Sequence, residues 1–290
     1  MKPKLPSTSF RPPPRFQWPE GYRSALMLCF DIDGETTALS EDAAYEHRLT
    51  TMSQCTYGPC VGVPRILGLL EHYQINATFF VPTYVVEAHP RMTQIVHESG
   101  HELGVHGHLH ERLIHLSEPE EAQILQKSLA IFESTVGFRP KGYRAPWYEI
   151  NPWTPKLLEE QGFQYQSSLM SDDVPFFHAN GLIEIPPQWH LEDWEQFAFN
   201  PDPAWGVIPE DCEKVYRLWW EELSAMRDYG CACVLTLHPW LIGRPARIQL
   251  LERILRKALE LGDIWITTGS AIASHLTAHP NSRREVDLDA

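Results

Sequence analysis

The 290-residue sequence has no long hydrophobic run and a shortage of positive charge. No stretch approaches the roughly 20 apolar residues that a membrane span needs, so we expect no membrane partner. The 24 lysines and arginines are outnumbered by 38 acidic residues, which gives a formal net charge of −14. Because such a surface repels phosphate backbones, we expect no nucleic-acid partner either.

Cysteines are few, and no apolar signal segment is visible. Three of the six cysteines lie in apolar runs, where a reduced, buried thiol is the usual state. Cys55 and Cys60 flank a short turn, so a disulfide or a metal-binding pair stays open there. The proline-rich and basic start of the chain lacks the apolar core of a secretory signal. We therefore expect a reduced, cytoplasmic protein.

Short apolar runs alternate with longer amphipathic segments along most of the chain. The pattern predicts strands at residues 24–30, 77–81, 102–105, 232–237 and 264–267. It predicts helices at residues 63–73, 118–136, 155–161, 210–229 and 246–261, with further helical segments after residue 90 and up to residue 276. Such alternation indicates an α/β fold with a parallel sheet, either a barrel or a doubly wound sheet.

Nothing in the sequence divides the chain into several domains. Residues 1–21 are predicted to form an extended arm, because three consecutive prolines disfavour a helix there. Residues 22–278 are predicted to form one domain, followed by a polar tail at 279–290. Residues 171–206 are predicted to be irregular, and connections of that length are often functional loops.

Two polar motifs follow predicted strands, at the edge of a parallel sheet where ligands usually bind. The first, FDIDGE, places Asp31 and Asp33 two residues apart, although such residues are also common in turns. The second, HGHLH, places His106 and His110 on the same side if the segment forms one helical turn. With Asp33, the two histidines would leave an open metal position, as catalytic zinc sites do.

Two further motifs occupy equivalent positions. The motif GYRAPW contains Arg144, which could fix a carboxylate through a bidentate contact or simply form a surface ion pair. The motif LTLHPW places His238 at the end of an apolar strand. That histidine could be a general acid or only terminate the strand.

Taken in order, FDIDG, HGHLH, RAPW and LTLH resemble the motifs of the polysaccharide deacetylase (NodB-homology) superfamily. The resemblance implies an α/β fold, a distorted barrel of about seven strands and helices. It implies Asp33, His106 and His110 as metal ligands and Asp31 as the catalytic base, oriented by Arg144. Zinc is the expected metal, with cobalt, nickel and manganese as alternatives.

The resemblance also implies roles on the leaving-group side. It places the backbone N–H of Trp147 at the oxyanion and makes His238 the general acid. The family's Asp-Ser-Ser segment reads Gln-Ser-Ser at residues 166–168, so the carboxylate that tunes the histidine must come from elsewhere. Asp193, in the segment WHLEDW, is the candidate.

The substrate is expected to be a small molecule. Six aromatic residues could line a compact apolar pocket, unless some of them simply pack in the core: Trp147, Trp153, Phe176, Phe177, Trp189 and Trp194. Such a pocket suits a small cyclic imide or amide, and cleavage of its C–N bond is the predicted reaction. Because aromatic rings also stack on sugars, an N-acetylglucosamine or peptidoglycan deacetylase is the alternative. A non-catalytic metal-binding or sugar-binding relative is the hypothesis from a different class.

A homo-oligomer is also expected. Phe10, Phe16 and Trp18 lie in the predicted arm, where a single barrel would leave them exposed. Similar cytoplasmic enzymes form tetramers, so the resemblance implies a homotetramer.

Overall fold

A curled, mostly parallel β-sheet forms the centre of the computed structural model, which describes residues 16–206 and 208–279. The strands are β1 (Ser24–Asp31), β2 (Thr78–Val81), β3 (Glu102–Val105), β4 (Gly142–Tyr143), β5 (Tyr165–Gln166), β6 (Phe176–Phe177), β7 (Ile183–Glu184), β8 (Phe199–Pro201), β9 (Ala204–Gly206), β10 (Ala232–Leu237) and β11 (Ile264–Thr267). Strands β8 and β9 form a separate hairpin, and the other nine belong to the main sheet.

The α-helices of the described residues cover the sheet and connect its strands. They are α1 (Thr36–Leu39), α2 (Leu49–Tyr57), α3 (Val63–Tyr73), α4 (Thr83–Ala88), α5 (Pro90–Glu98), α6 (Glu118–Val136), α7 (Thr154–Glu160), α8 (Trp194–Phe197), α9 (Cys212–Tyr229), α10 (Pro239–Ile242), α11 (Pro245–Leu261) and α12 (Gly269–Ala278). Among the described residues, none of these helices combines the length and the apolar character needed to cross a bilayer.

The topology confirms the predicted α/β fold with a parallel sheet. Neighbouring strands follow the order β10-β1-β2-β3-β4-β5-β7-β6, with β11 beside the first half of β1, and only β6 runs antiparallel to its neighbour. The main sheet has nine strands, and four of them, β4 to β7, have only two residues each, which is too short to give a sequence pattern. The sheet is a half-barrel, since among the described residues the chain after β7 pairs with β10 through an isolated bridge between Glu192 and Thr236 and not through a regular strand.

The core is divided into an outer layer, between sheet and helices, and an inner layer inside the curl. Along β1 the side chains alternate between the two layers, as the two-residue period of a strand requires. The outer layer takes Leu26, Leu28 and Phe30, and the inner layer takes Ala25, Met27 and Cys29. Every second residue of such a strand therefore points into the curl.

Two glycines make room for aromatic rings inside the curl. A Cβ on Gly104 would collide with the ring of Phe80, and one on Gly142 would collide with the ring of Tyr165. Both rings are fully buried in the inner layer. Larger residues at the two glycine positions would therefore displace the two rings that pack inside the half-barrel.

The start of the described chain corrects the expected exposed arm. Phe16 and Trp18 are buried in the inner layer, and the Trp18 indole N–H donates to the Gly230 carbonyl at 2.8 Å. The prediction that these two rings are exposed is wrong, because both pack against apolar residues of the inner layer of the same chain. Phe10, the three prolines and residues 280–290 lie outside the described residues. The homotetramer stays a prediction, without the support of these two rings.

The expectation of an irregular segment at residues 171–206 is also wrong. Strands β6 to β9 and helix α8 lie within it. Each of these elements has only two to four residues. That length is too short for a hydrophobic period to be visible in the sequence.

Replacing Trp18 with alanine should lower the free energy of unfolding by about 3–5 kcal/mol, because a buried indole and its hydrogen bond are lost. Chemical denaturation of the full chain measures this change. Tyr22→Ala is the control, since Tyr22 is 39% exposed and close by in sequence. If both variants lost equally little, the docking of this segment against the sheet would be refuted.

Candidate active site

The alternation of strand side chains brings the four motifs to one place. Asp31 ends β1 on the same side as Cys29, which lies in the inner layer. In β3, Val105 points to the outer layer, so the side chain of the next residue, His106, points inward. In β4, Tyr143 also points to the outer layer, so Arg144 points inward. Leu237 in β10 likewise points to the outer layer, so the side chain of His238, the next residue, points into the curl. One mouth of the half-barrel therefore receives all these polar groups.

Asp33, His106 and His110 form a compact group of possible metal ligands. One ligand atom from each lies within 4.8 Å of the others. The Nε2 of His106 is 3.6 Å from Asp33 Oδ1, and the Nε2 of His110 is 3.8 Å from Asp33 Oδ2. One carboxylate and two imidazoles are a donor set that suits zinc and similar divalent ions.

The chemistry of these donors fits a bound cation. Asp33 Oδ1 is buried and makes no hydrogen bond with the described residues. His106 Nδ1 lies 2.8 Å from the Arg144 carbonyl, so that nitrogen donates its proton and Nε2 faces Asp33 as a lone-pair donor. Burial lowers the pKa of His106 to about 3 and raises the pKa of Asp33 to about 7. A neutral imidazole is therefore present, and an ionised Asp33 calls for a positive neighbour.

The chain between the two histidines is not the helical turn expected from their spacing. It is a loop in which Gly107 has φ +71° and His110 has φ +58°. A Cβ on Gly107 would also lie 2.8 Å from the Glu111 carboxylate, so glycine is required here. The ring of His108 points away, with Nδ1 2.9 Å from Thr83 Oγ1. The His106 and His110 rings therefore lie close together, as expected, but the loop and not a helical turn brings them there.

Asp31 is held by Arg144 through one hydrogen bond. The guanidinium Nη1 donates to Asp31 Oδ1 at 2.9 Å, and both side chains are buried. The other guanidinium nitrogens donate to the Ser167 carbonyl, the Ser167 hydroxyl and the sulfur of Cys29. The contact to Asp31 is therefore a single hydrogen bond and not bidentate, because Nε and Nη2 donate to other acceptors.

His238 is paired with Asp193. The Nδ1 of His238 lies 2.7 Å from Asp193 Oδ1, and the backbone N–H of His238 donates to the same carboxylate. Burial alone would lower the pKa of His238, but the hydrogen bond and charge of Asp193 raise it to about 10, aided by Asp33 and Glu192. The Nε2 of His238 faces the ligand group, 3.5 Å from Asp33 Oδ2.

These groups line one pocket at the mouth of the half-barrel. Its wall includes Asp31, Asp33, Thr37, His106, His110, Ala145, Trp147, Tyr148, Trp189, Glu192, Trp194, Glu195 and His238. The space left for water-sized groups is about 60 Å³. The pocket can therefore admit a small group of several atoms and not only a single water.

Three of the six expected aromatic residues lie in this wall, whereas Trp153, Phe176 and Phe177 do not. The Trp153 indole N–H donates to Glu121, and Phe177 is buried in the inner layer. Phe176 is fully buried and pairs with Glu184 between β6 and β7, with its ring 5.7 Å from the ring of His178. Its prediction as a substrate-binding residue is wrong, because the unrecognised strand β6 incorporates it into the sheet.

The sequence reasoning missed four polar or aromatic residues of the wall, which are Thr37, Tyr148, Glu192 and Glu195. Tyr148 directly follows Trp147, and Glu192 directly precedes Asp193. Their adjacency to recognised residues was the available signal. Burial raises the pKa of Glu192 to about 8, with the charges of Asp31 and Asp193 acting in the same direction.

Known proteins resemble this chain in sequence and in structure. Residues 56–166 match the polysaccharide deacetylase family. A protein of Mycobacterium smegmatis assigned to the polysaccharide deacetylases is 41% identical, with a TM-score of 0.91 over 96% of this chain and 99% of that one. The peptidoglycan deacetylase of Helicobacter pylori is 28% identical over 254 residues, which cover 77% of this chain and 86% of that protein. Puue allantoinase shares the fold, with a TM-score of 0.79 over 96% of this chain and 98% of that one, at 24% identity.

The identity of 41% extends over nearly the whole of both chains, so this chain belongs to the polysaccharide deacetylase family. The family resemblance predicted from the four motifs is thereby confirmed. The protein is a hydrolase of the deacetylase type, acting on the C–N bond of amides.

Replacing His106 with alanine should remove bound metal, because the site would keep only two of its three proposed protein ligands. Elemental analysis of the purified protein measures the metal content and identifies the ion. His108→Ala is the matched control in the same loop, since its ring contacts Thr83 and Lys127 and should leave metal in place. Full metal content in the His106 variant would contradict the ligand assignment.

Proposed function

We propose that the protein is a metal-dependent hydrolase of a small cyclic imide or amide. The narrow space between the reacting groups and the aromatic wall is the observation that supports this proposal. The volume open to the centres of water-sized groups is about 60 Å³, which suits a compact ring better than a sugar chain. Aromatic walls from Trp147, Tyr148 and Trp194 further favour a flat substrate.

Asp33, His106 and His110 would hold the metal. A divalent ion bound there lowers the pKa of water and polarises a carbonyl group. Zinc suits these donors, and cobalt, nickel and manganese are the alternatives. The charge environment supports this assignment, because Asp33 has a buried oxygen without a hydrogen-bond partner.

Asp31 and His238 would move the protons. Asp31 accepts a proton from the attacking water, and Arg144 keeps its carboxylate oriented. His238, held protonated by Asp193, donates from Nε2 to the leaving nitrogen. The backbone N–H of Trp147 donates to the oxygen of the reacting carbonyl as negative charge develops there.

The alternative substrate is an N-acetylated amino sugar. The name of the Helicobacter pylori relative supports it, and exposed Trp189 at the pocket wall offers a ring on which a sugar could stack. Cytoplasmic location and a homotetramer remain predictions alongside either substrate.

Hydrolysis of a substrate panel separates the two proposals. We expect the metal-loaded protein to cleave succinimide or a close cyclic analogue, and to cleave N-acetylglucosamine oligomers far more slowly, because the oligomers exceed the pocket. Values of kcat/KM for succinimide, phthalimide, hydantoin, allantoin and the oligomers provide the comparison. A clear preference for the oligomers would overturn the imide proposal and support the deacetylase alternative.

His238→Ala should impair the cleavage of simple amides more than the cleavage of imides. An imide nitrogen leaves readily without full protonation, whereas an amine does not, so the general acid matters less for the imide. The ratio of variant to wild-type kcat/KM on succinimide and on a simple N-acetyl amine measures the difference. We expect a loss of roughly 10²–10⁴ on the amide and a clearly smaller loss on the imide.

Metal content is the control for this variant, because His238 lies outside the proposed ligand group. Retained metal would show that any loss comes from proton transfer. An equal loss on both substrates would remove His238 from the role of general acid.

A further inference from the structure

Glu192 is placed in the pocket by an extended segment that adds to the edge of β10. It forms an isolated parallel bridge with Thr236, and the backbone N–H of Asp193 donates to the Thr236 carbonyl at 3.1 Å. Adjacent side chains of an extended segment point in opposite directions. Asp193 therefore reaches Nδ1 of His238, whereas Glu192 lines the pocket.

The carboxyl group of Glu192 is buried but incompletely bonded. The residue is only 6% exposed, and Oε2 has no hydrogen-bond partner among the described residues. Its other oxygen lies 3.8 Å from Nε2 of His238, which is beyond hydrogen-bond distance. A buried acceptor left unsatisfied destabilises the fold, so its retention in the pocket wall indicates a ligand that completes it.

The distance between Glu192 and His238 identifies the atom that both can reach. A single nitrogen can lie about 2.9 Å from each of two atoms that are 3.8 Å apart. His238 Nε2 is the proposed donor to the leaving nitrogen of the substrate. Glu192 can therefore contact the same nitrogen. Because His238 donates the proton to that nitrogen, Glu192 acts as the acceptor of a hydrogen bond from its N–H group.

Tyr148 supplies a second polar group nearby. Its hydroxyl is buried close to Thr236 but makes no hydrogen bond of normal geometry with the described residues. Burial first, and the charge of Glu192 second, hold the pKa of Tyr148 well above its usual range. The phenol therefore stays protonated and remains a donor.

We propose that Glu192 and Tyr148 recognise the –NH–C(=O)– edge of a cyclic imide, with Glu192 accepting from the ring N–H and Tyr148 donating to the second carbonyl. This inference rests on the proposed function as an imide hydrolase and specifies its substrate as an imide with an unsubstituted nitrogen. A carboxyl group can accept from the N–H in either protonation state, because it retains an oxygen lone pair. An N-alkyl imide offers no donor to Glu192 and places a methyl group against it.

Succinimide and N-methylsuccinimide test the inference, because they differ only at the nitrogen. The full metal-loaded chain should prefer succinimide by about tenfold or more in kcat/KM. Glu192→Ala should lose about tenfold or more on succinimide and little or nothing on the methylated ring, so the preference collapses. Tyr148→Phe should lose similar factors on both, since both keep the second carbonyl.

Controls separate recognition from folding. Glu192→Gln keeps the size of the side chain and should lose part of the preference while remaining folded. Glu133→Ala, at an exposed ion pair with Arg139, should keep the wild-type preference. Elemental analysis should show unchanged metal in every variant, because neither Glu192 nor Tyr148 belongs to the ligand group.

The outcomes distinguish this inference from the function on which it rests. Equal losses on the two imides, or a wild-type enzyme that cleaves both equally well, would overturn the role of Glu192 and leave imide hydrolysis standing. A wild-type enzyme that cleaves neither imide but cleaves N-acetylglucosamine would overturn both.

Discussion

The buried guanidinium of Arg144 is the interaction on which the site depends. Its side chain joins β4 to Asp31 at the end of β1 and to Ser167 after β5, while its carbonyl accepts from Nδ1 of His106. The proposed base and a proposed metal ligand are thus positioned by one residue. Because removal of one partner from a buried ion pair leaves an uncompensated charge, loss of Arg144 or Asp31 alone should cost about 3–5 kcal/mol of stability.

The electrostatics of the site explain why a cation fits there. Four buried carboxyl groups share this site. Asp33, Glu192 and Asp193 act on His238, and Asp31 lies 3.8 Å from Nε2 of His106. Arg144 and protonated His238 are the buried cations in contact with them, so two negative charges would remain if all four groups were ionised. A divalent ion on the Asp33 side would balance them. This balance would also allow Asp33 to stay ionised despite the burial that raises its pKa to about 7.

Most of the fold, and the residues that meet in the pocket, could be predicted from the sequence. The strand β10 is a continuous apolar run and the helix α6 is a long amphipathic segment, and the predicted bounds of both agree with the structure. Motifs at strand ends converge because parallel strands share one edge, so Asp33, His106 and His238 could be expected to meet. Asp193 was proposed from the acidic segment WHLEDW alone. In the structure it contacts Nδ1 of His238, as expected for the carboxylate that the Gln-Ser-Ser segment lacks.

The failures have two physical causes, which are packing between segments far apart in sequence and the local backbone of a loop. Phe176 sits in a strand of only two residues, so no period indicated that its ring faces the sheet. Phe16 and Trp18 were predicted to be exposed because the inner-layer residues that bury them come from strands far away in the sequence. The His106–His110 pair was attributed to a helical turn, whereas left-handed backbone at Gly107 brings the rings together.

The size of the pocket is set by packing around two residues rather than by the reacting groups. Trp147 and Tyr148 both have left-handed backbone, at φ +62° and +59°, which costs on the order of 1–3 kcal/mol for each such residue. That conformation persists because neighbours hold the rings: Arg112 lies 3.9 Å from the Trp147 ring centroid and is itself paired with Glu41. Trp194 packs edge-on against the same indole. A family member could therefore keep all four motifs and still accept a larger substrate, since a change in this aromatic wall would widen the pocket without moving Asp31 or His238.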